Sequence, residues 1–443
     1  MQYLRRMAPG FEGLPRIDLR PGSPSEHAAT WRARCSRSAG LDGAADEAAR
    51  TILADVRARG DAAIFECVER FEGRTITADD LEVKPERWQG AADRVPTEVK
   101  EALEFAARRV HAFHRTQRFE TSGVAKEGWA LHSRVAPLPR VAVYAPGGTA
   151  AYPSSVLMAG IPAKVAGVRE VFLLTPRASD VVLYAATLAG LDRVFEVGGA
   201  QAIAAAAFGT ATIPRVDKIV GPGNAYVTAA KRQVFGVCDI DGIAGPSEIL
   251  VMADASADPE LVAADLISQA EHDREACAIL VTNDPALPDA VDAALRRQLA
   301  DLPRADIAIT SLHDHGAAVV VGDLSAMIAA ANDYAPEHLE LLISSPEAIA
   351  SALTTAGAIF VGAWTPEAAG DYTAGPSHVL PTAGAARFGS PVGVWDFMKY
   401  TSVLRLDRPA LTEQAAAITT LARAEGLEGH ARAVEWRLKG DDA

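Results

Sequence analysis

The sequence predicts an α/β protein of two lobes with mainly parallel sheets, an incomplete Rossmann-like arrangement. An N-terminal arm and a helical C-terminal tail complete it. Three observations carry this reading. The chain has 443 residues, too many for one simple core. Short apolar runs alternate with helix-like stretches over most of its length, the pattern of strands buried on both faces. Two strand-to-helix junctions are rich in Gly and Pro, yet neither is a GxGxxG turn or a P-loop.

Residues 1–30, punctuated by Pro and Gly, read as the arm. From about 44 to 120 the pattern is helical, and Val99, Leu103, Ala106, Val110 and Phe113 recur at helical spacing. Strand-like runs follow: "RVAVYAPGG", "EVFLLTP", "RVFEVGG", "DKIVGPGN", "EILVMAD", "CAILVTND", "AAVVVGD" and "GAIFVGAW". They stop near residue 364, and the tail reads as helix. The expected division is a main α/β domain of residues 31–143 and 246–392, a second α/β domain of 144–245, and the tail of 393–443.

Composition excludes several classes. A net charge of −14 without a Lys/Arg block disfavours nucleic acid and anionic membranes. The four cysteines are scattered and form no CxxC pair, against a disulfide framework or a thiolate zinc site. The opening "MQYLRRMAPGFEGLPRIDLR" lacks a signal-peptide core, and no apolar run approaches a membrane span. A cytoplasmic location is expected.

The chemistry-bearing residues fall in separate motifs. In "DLISQAEHDREA", Gln269 and His272 share one helical face, as two metal ligands would. A polar surface helix explains the same spacing. "GDYTAGPSHVLPT" brings Asp371 and His378 into a Gly/Pro-rich loop, and "EGLEGHARA" brings Glu425 and His430 to a helix end. Carboxylate, amide and imidazole together suit zinc better than magnesium. In "NDYAPEHLELL", Pro336 signals a helix start, which would place Glu337 and His338 in a first turn. There the helix dipole would keep the imidazole neutral and able to accept a proton. The junctions "YAPGGTAAYPSS" and "GPGNAYVTAAK" suit a phosphate at the following helix, and equally suit tight turns.

Taken in order, these motifs resemble the histidinol dehydrogenase family over roughly residues 30–437. The resemblance includes "VYAPGGTAAYPSSVLM", "GGAQAIAA", "GPGNAYVTAAKRQV", "DIDGIAGPSEIL", "DLISQAEHD", "YAPEHLE", "FMKYTSV" and "EGLEGH". It implies NAD-dependent oxidation of L-histidinol through bound L-histidinal to L-histidine, in histidine biosynthesis. It further implies a Zn2+ ion in each subunit, held by Gln269, His272, Asp371 and His430, with Glu337 and His338 as the catalytic pair. Implied substrate contacts are Ser247, Gln269, His272, His338, Asp371, His378, Glu425 and His430. Implied NAD+ contacts, in the 144–245 domain, are Tyr144, Gln201 and Asn224. The family pattern is a homodimer whose C-terminal tail enters the partner's site. Asp273 is expected to orient the His272 ring. Gly242 stands where a larger apolar residue is expected, so a nearby wall should be looser.

Three rival readings remain on the residues themselves. One is a relative oxidising another small alcohol, such as a sulfonated diol. The others are a zinc hydrolase using Glu337 as base and a non-catalytic metal-binding protein.

Overall fold

A computed structural model describes residues 10–37, 43–117, 119–147 and 152–439. Among these the strands run, in chain order, β1 (Arg16–Asp18), β2 (Ser122–Lys126), β3 (Trp129–Pro137), β4 (Arg140–Tyr144), β5 (Glu170–Leu174), β6 (Arg193–Phe195) and β7 (Lys218–Val220). Then follow β8 (Asp239–Ile240), β9 (Glu248–Ala253), β10 (Cys277–Thr282), β11 (Ala317–Val320), β12 (His338–Leu342), β13 (Ala358–Val361) and β14 (Met398–Leu406). The chain divides into two compact units, residues 1–117 with 138–397 and residues 118–137 with 398–443.

The larger unit contains two parallel sheets. One has the order β1-β11-β10-β9-β12-β13 and the other β6-β5-β4-β7-β8. Every strand pair in both is parallel. Renumbered within its own sheet, the second reads 3-2-1-4-5, a dinucleotide fold short of its sixth strand. Without β1, the first sheet reads 3-2-1-4-5 as well.

Both sheets are covered on both faces, which is why their strands read as unbroken apolar runs. In β9, Ile249 and Val251 face a cluster with Leu266, Leu280 and Leu295. Its Leu250 and Met252 face the opposite cluster, with Met327 and Tyr334. In β4, Val141 and Val143 pack with Leu103 and Val110 of the helix Thr97–His114. Ala142 and Tyr144 point the other way, into a cluster with Leu53 of Gly43–Arg59 and Ile64 of Asp61–Glu72.

Six strands were not foreseen: β1, β2, β3, β8, β12 and β14. The segment read as an arm contributes β1, a three-residue edge strand on β11. It buries one apolar side chain deeply, Ile17, too little to register as a run. In the smaller unit, β14 pairs antiparallel with β3, and β3 with β2. The tail carries its helices, Arg408–Ala424 and Glu428–Leu438, but β14 comes first. These strands are largely exposed, so the buried-run criterion misses them. No helix among the described residues is long and apolar enough to cross a membrane.

At the carboxyl end of β7, Gly221 has φ +118°, and a Cβ there would meet the Tyr144 carbonyl oxygen. Lys231, from the helix Ala225–Val234, donates to the Gly221 carbonyl at 2.9 Å and pairs with Asp241. Asp241 also accepts the Gly221 N–H at 2.6 Å. Both side chains are almost fully buried, at 3% and 6% exposed. Breaking such a pair strands a charge and costs on the order of 3–5 kcal/mol. Lys231→Ala is therefore expected to lower unfolding stability by about that amount, read by urea denaturation. Lys231→Ala with Asp241→Ala should lose less than the sum of the single changes. Additive losses would show that the pair does not hold the turn.

Candidate active site

The candidate catalytic residues sit at the amino edge of the first sheet, where β9 and β12 begin. The helix Leu324–Tyr334 ends with Ala335 in the left-handed region, φ 52°. Pro336 then leads directly into β12, whose first residue is His338. The expected helix start at Pro336 is thus corrected: this proline follows a helix end, its other common position. "HLELL" is buried throughout, between β9 and β13, and sheet burial overrides the helical signal.

Both members of the pair bind the backbone of the same residue, Glu248. The Glu337 carboxylate Oε2 accepts the Glu248 N–H at 2.9 Å. His338 Nδ1 lies 2.9 Å from the Glu248 carbonyl, so Nδ1 carries the proton and donates. Nε2 keeps its lone pair, 3.9 Å from Asp371 Oδ1. Burial lowers the His338 pKa to about 4, although Asp371 pulls the other way. The imidazole is neutral because it is buried, and it stands at a strand start rather than in a helix's first turn. Burial also holds the Glu337 carboxyl well above its usual range, and Glu248, Glu367 and Asp371 push it further.

Gln269 closes the helix Pro259–Ala270 and is fully buried. Oriented to satisfy its neighbours, its amide donates to the Glu248 carbonyl at 3.2 Å and to Glu367 Oε1 at 2.9 Å. Its oxygen then accepts from His272 Nδ1 at 3.3 Å. His272 is exposed just past the helix end. Asp273 accepts the Glu275 N–H at 3.0 Å, a turn contact, and makes no described bond to the His272 ring. Asp371 Oδ1 is 3.7 Å from His378 Nδ1. Burial raises the Asp371 pKa, but the neighbouring His378 imidazole and those of His338 and His272 outweigh it, and the net shift is downward.

Glu367 is the residue that the sequence reading missed. It begins the helix Glu367–Tyr372, is buried, and accepts from Ser268 Oγ at 2.9 Å. Its Oε1 is 3.6 Å from His338 Nδ1. One ligand atom each from His338, Glu367 and Asp371 fall within 4.8 Å of one another, a grouping able to hold a metal ion. The signal was present: Glu367 stands four residues before Asp371 and so shares its helical face.

The structure therefore brings together Gln269, His272, Glu337, His338, Asp371 and His378, with Ser247 immediately before β9. Glu425 and His430 belong to the smaller unit and are exposed, Glu425 at the end of its first helix and His430 in the first turn of its second. A zinc ion fits the donor set on three counts. Amide oxygen, imidazole nitrogen and carboxylate oxygen are all present. The buried carboxylates Glu337 and Glu367 and the partly buried Asp371 call for a cation. His378 Nε2 is buried without a partner.

Tyr144, Gln201 and Asn224 lie on the second sheet. Tyr144 ends β4, and its hydroxyl accepts the Gly199 N–H at 3.1 Å. Gln201 is buried in the first turn of Gly199–Phe208. Asn224 caps Ala225–Val234, accepting the Val227 N–H at 3.1 Å. The junctions after β4 and β7 flank the point where strand order reverses, the usual ligand crevice of an open parallel sheet. Gly242 is exposed, and an added Cβ would meet nothing within 4 Å.

Comparison with known proteins accords with this arrangement. The family model for histidinol dehydrogenase matches residues 36–438. The histidinol dehydrogenase of Dechloromonas aromatica is 51% identical over 394 residues, 88% of this chain and 91% of that one. That of Bordetella parapertussis is 50% identical over 403 residues, 90% and 92% of the two chains. The crystal structure of histidinol dehydrogenase from Elizabethkingia anophelis superposes with a TM-score of 0.88 at 35% identity, covering 96% of this chain and 98% of that one.

The buried imidazole has a measurable cost in acid. The His338 pKa falls from 6.5 to about 4 on folding, so between those values the unfolded chain binds more protons. Stability from this group is complete above pH 6.5 and lost as the pH falls through 4. His338→Asn removes the titration. Metal-free wild type should lose on the order of 3 kcal/mol relative to His338→Asn across that window. Urea melts at several pH values test this. Parallel curves for the two proteins would refute it.

Proposed function

Because the chain belongs to the histidinol dehydrogenase family of NAD-dependent oxidoreductases of histidine biosynthesis, we propose that Glu337 and His338 perform its two-stage oxidation of L-histidinol. The observation that carries this assignment is that the Glu248 backbone holds both side chains and takes the Nδ1 proton of a ring that burial keeps neutral, so Nε2 is free. The overall change takes L-histidinol, water and two NAD+ to L-histidine, two NADH and three protons. NAD+ supplies the hydride acceptor. Zinc supplies a Lewis acid that the substrate's imidazole and amine can ligate, which orients it.

The residues then have distinct tasks. His338 takes the hydroxyl proton at Nε2 in each oxidation. Glu337 helps remove a proton from the water that hydrates the aldehyde, assisted by His338. Its raised pKa opposes this until positive charge enters the site and restores the carboxylate. Gln269, His272 and Asp371 would hold the metal, with His430 as fourth ligand. Ser247, His378 and Glu425 would orient the substrate. The nucleotide would lie across the junctions after β4 and β7, with Tyr144, Gln201 and Asn224 nearby. Tyr144 and Asn224 each use one polar atom locally and keep a donor for a ligand.

The exposed Glu425 and His430 support a homodimer in which this tail completes the partner's site. The smaller unit also exposes Leu404 at 70%, Leu421 at 64% and Trp436 at 67%, apolar surface that a second copy would cover.

Three measurements test the scheme. Purified protein given L-histidinol and NAD+ should form L-histidine with two equivalents of NADH, and chelation should stop it. Metal-independent turnover would remove zinc from the scheme. Glu337→Gln should slow oxidation of L-histidinal more than that of L-histidinol, whereas His338→Asn should slow both; equal losses with Glu337→Gln would undo the division of labour. Mixing Glu337→Ala subunits with His430→Ala subunits should restore activity, because one site in each mixed dimer is intact. A dead mixture, with exchange confirmed, would place every site within one chain.

A further inference from the structure

We propose that Arg37 is the positioning residue that locks the Glu337–His338 pair to the start of β9. It lies far from the pair in sequence, just beyond the helix Ser25–Cys35. Its guanidinium grips the Glu248 carboxylate with two bonds, Nε to Oε1 at 2.5 Å and a terminal nitrogen to Oε2 at 2.6 Å. The other terminal nitrogen donates to the Tyr334 carbonyl at 2.7 Å. A weaker contact reaches the Ala335 carbonyl at 3.4 Å. The guanidinium carbon stacks 3.5 Å above the Tyr334 ring. The Arg37 side chain is 16% exposed and that of Glu248 3%.

One side chain thus joins two backbone segments. The first is the Glu248 peptide, which orients Glu337 through its N–H and His338 through its carbonyl. The second is the turn that delivers the pair, with Ala335 held at φ 52°. A non-glycine residue in that region is strained and persists only where its surroundings fix it. The Gly357 N–H on the Pro336 carbonyl at 2.9 Å fixes the turn from one side. Arg37 fixes it from the other. A planar fork with five donors can satisfy a carboxylate and a carbonyl at once; an ammonium cannot match that geometry.

Without Arg37 the Glu248 carboxylate is buried and unpaired, and the β9 start loses its link to the Tyr334 and Ala335 carbonyls. Relative motion of the segments then spoils the His338 orientation, and a misplacement near 1 Å costs roughly 100-fold in rate. Arg37 touches no proposed metal or nucleotide contact, so the loss should fall on kcat.

The inference rests on the catalytic reading of Glu337 and His338, and the experiment separates the two. Wild type, Arg37→Ala, Arg37→Lys, Glu337→Gln and His338→Asn are assayed on L-histidinol and L-histidinal, each normalised to folded, zinc-loaded sites. Arg37→Ala should lose roughly 10- to 100-fold in kcat on both substrates, with KM for NAD+ within about twofold. Arg37→Lys, which keeps the charge and protects folding, should lose less but remain below wild type. Guanidinium at low millimolar concentration should raise kcat of Arg37→Ala and leave wild type unchanged. Normal kcat per folded, zinc-loaded site in Arg37→Lys, and in Arg37→Ala where that variant folds, overturns the inference. So does a loss explained entirely by missing zinc or unfolded protein. Full activity in Glu337→Gln and His338→Asn overturns the catalytic reading, and this inference with it.

Discussion

The peptide of Glu248 is the point on which the candidate site depends. Its N–H is taken by Glu337, its carbonyl by His338 and by the Gln269 amide, and its carboxylate by Arg37. A strand's first residue is well suited to this. Its inward-facing groups are fixed by the sheet behind it, yet they are not consumed by the ladder. Parallel pairing sets β12 directly beside β9, with His338 opposite Ile249. The catalytic groups therefore inherit the precision of the most buried part of the fold, where side chains cannot drift.

That placement has an electrostatic cost. Glu248, Glu337, Glu340 and Glu367 are all buried in this region, and Asp371 nearly so. Burial and mutual repulsion drive Glu337 and Glu367 towards their neutral forms, and Glu340 is pushed to about 10 by burial and its neighbour Asp265. Arg37 satisfies Glu248, and His378 and other imidazoles stabilise charge on Asp371. What remains is a deficit of positive charge, which a divalent cation and a substrate ammonium would both supply. The pocket's affinity and its instability when empty have the same origin.

Much of the architecture was legible because buried parallel strands write themselves as apolar runs. "EILVMAD" and "CAILVTND" became β9 and β10, and the Gly/Pro junctions fell at the reversal of strand order. The misses share a cause. β1, β2, β3, β8 and β14 bury too few side chains to mark the sequence. At Pro336 a local signal was ambiguous between helix start and helix end, and only the burial of "HLELL" between two strands decides it. The motifs pointed to Gln269, His272, Asp371 and the Glu337–His338 pair, which the fold does gather. Glu367 showed only in its four-residue spacing to Asp371, and Arg37 stayed hidden, because a single charged residue gives no periodicity and its partner lies on another element.

The edge strand β1 has a consequence for how the protein is made. Arg16 pairs with Ala318, so roughly 300 residues separate two neighbours in one sheet. At a ribosomal pace of about 5–20 residues per second, β1 emerges roughly 15–60 seconds before its partner exists. Its brevity is then protective, since three residues offer little edge for a stranger to extend. β1 therefore waits for β11, and the sheet bearing the chemistry is complete only once β13 has been made.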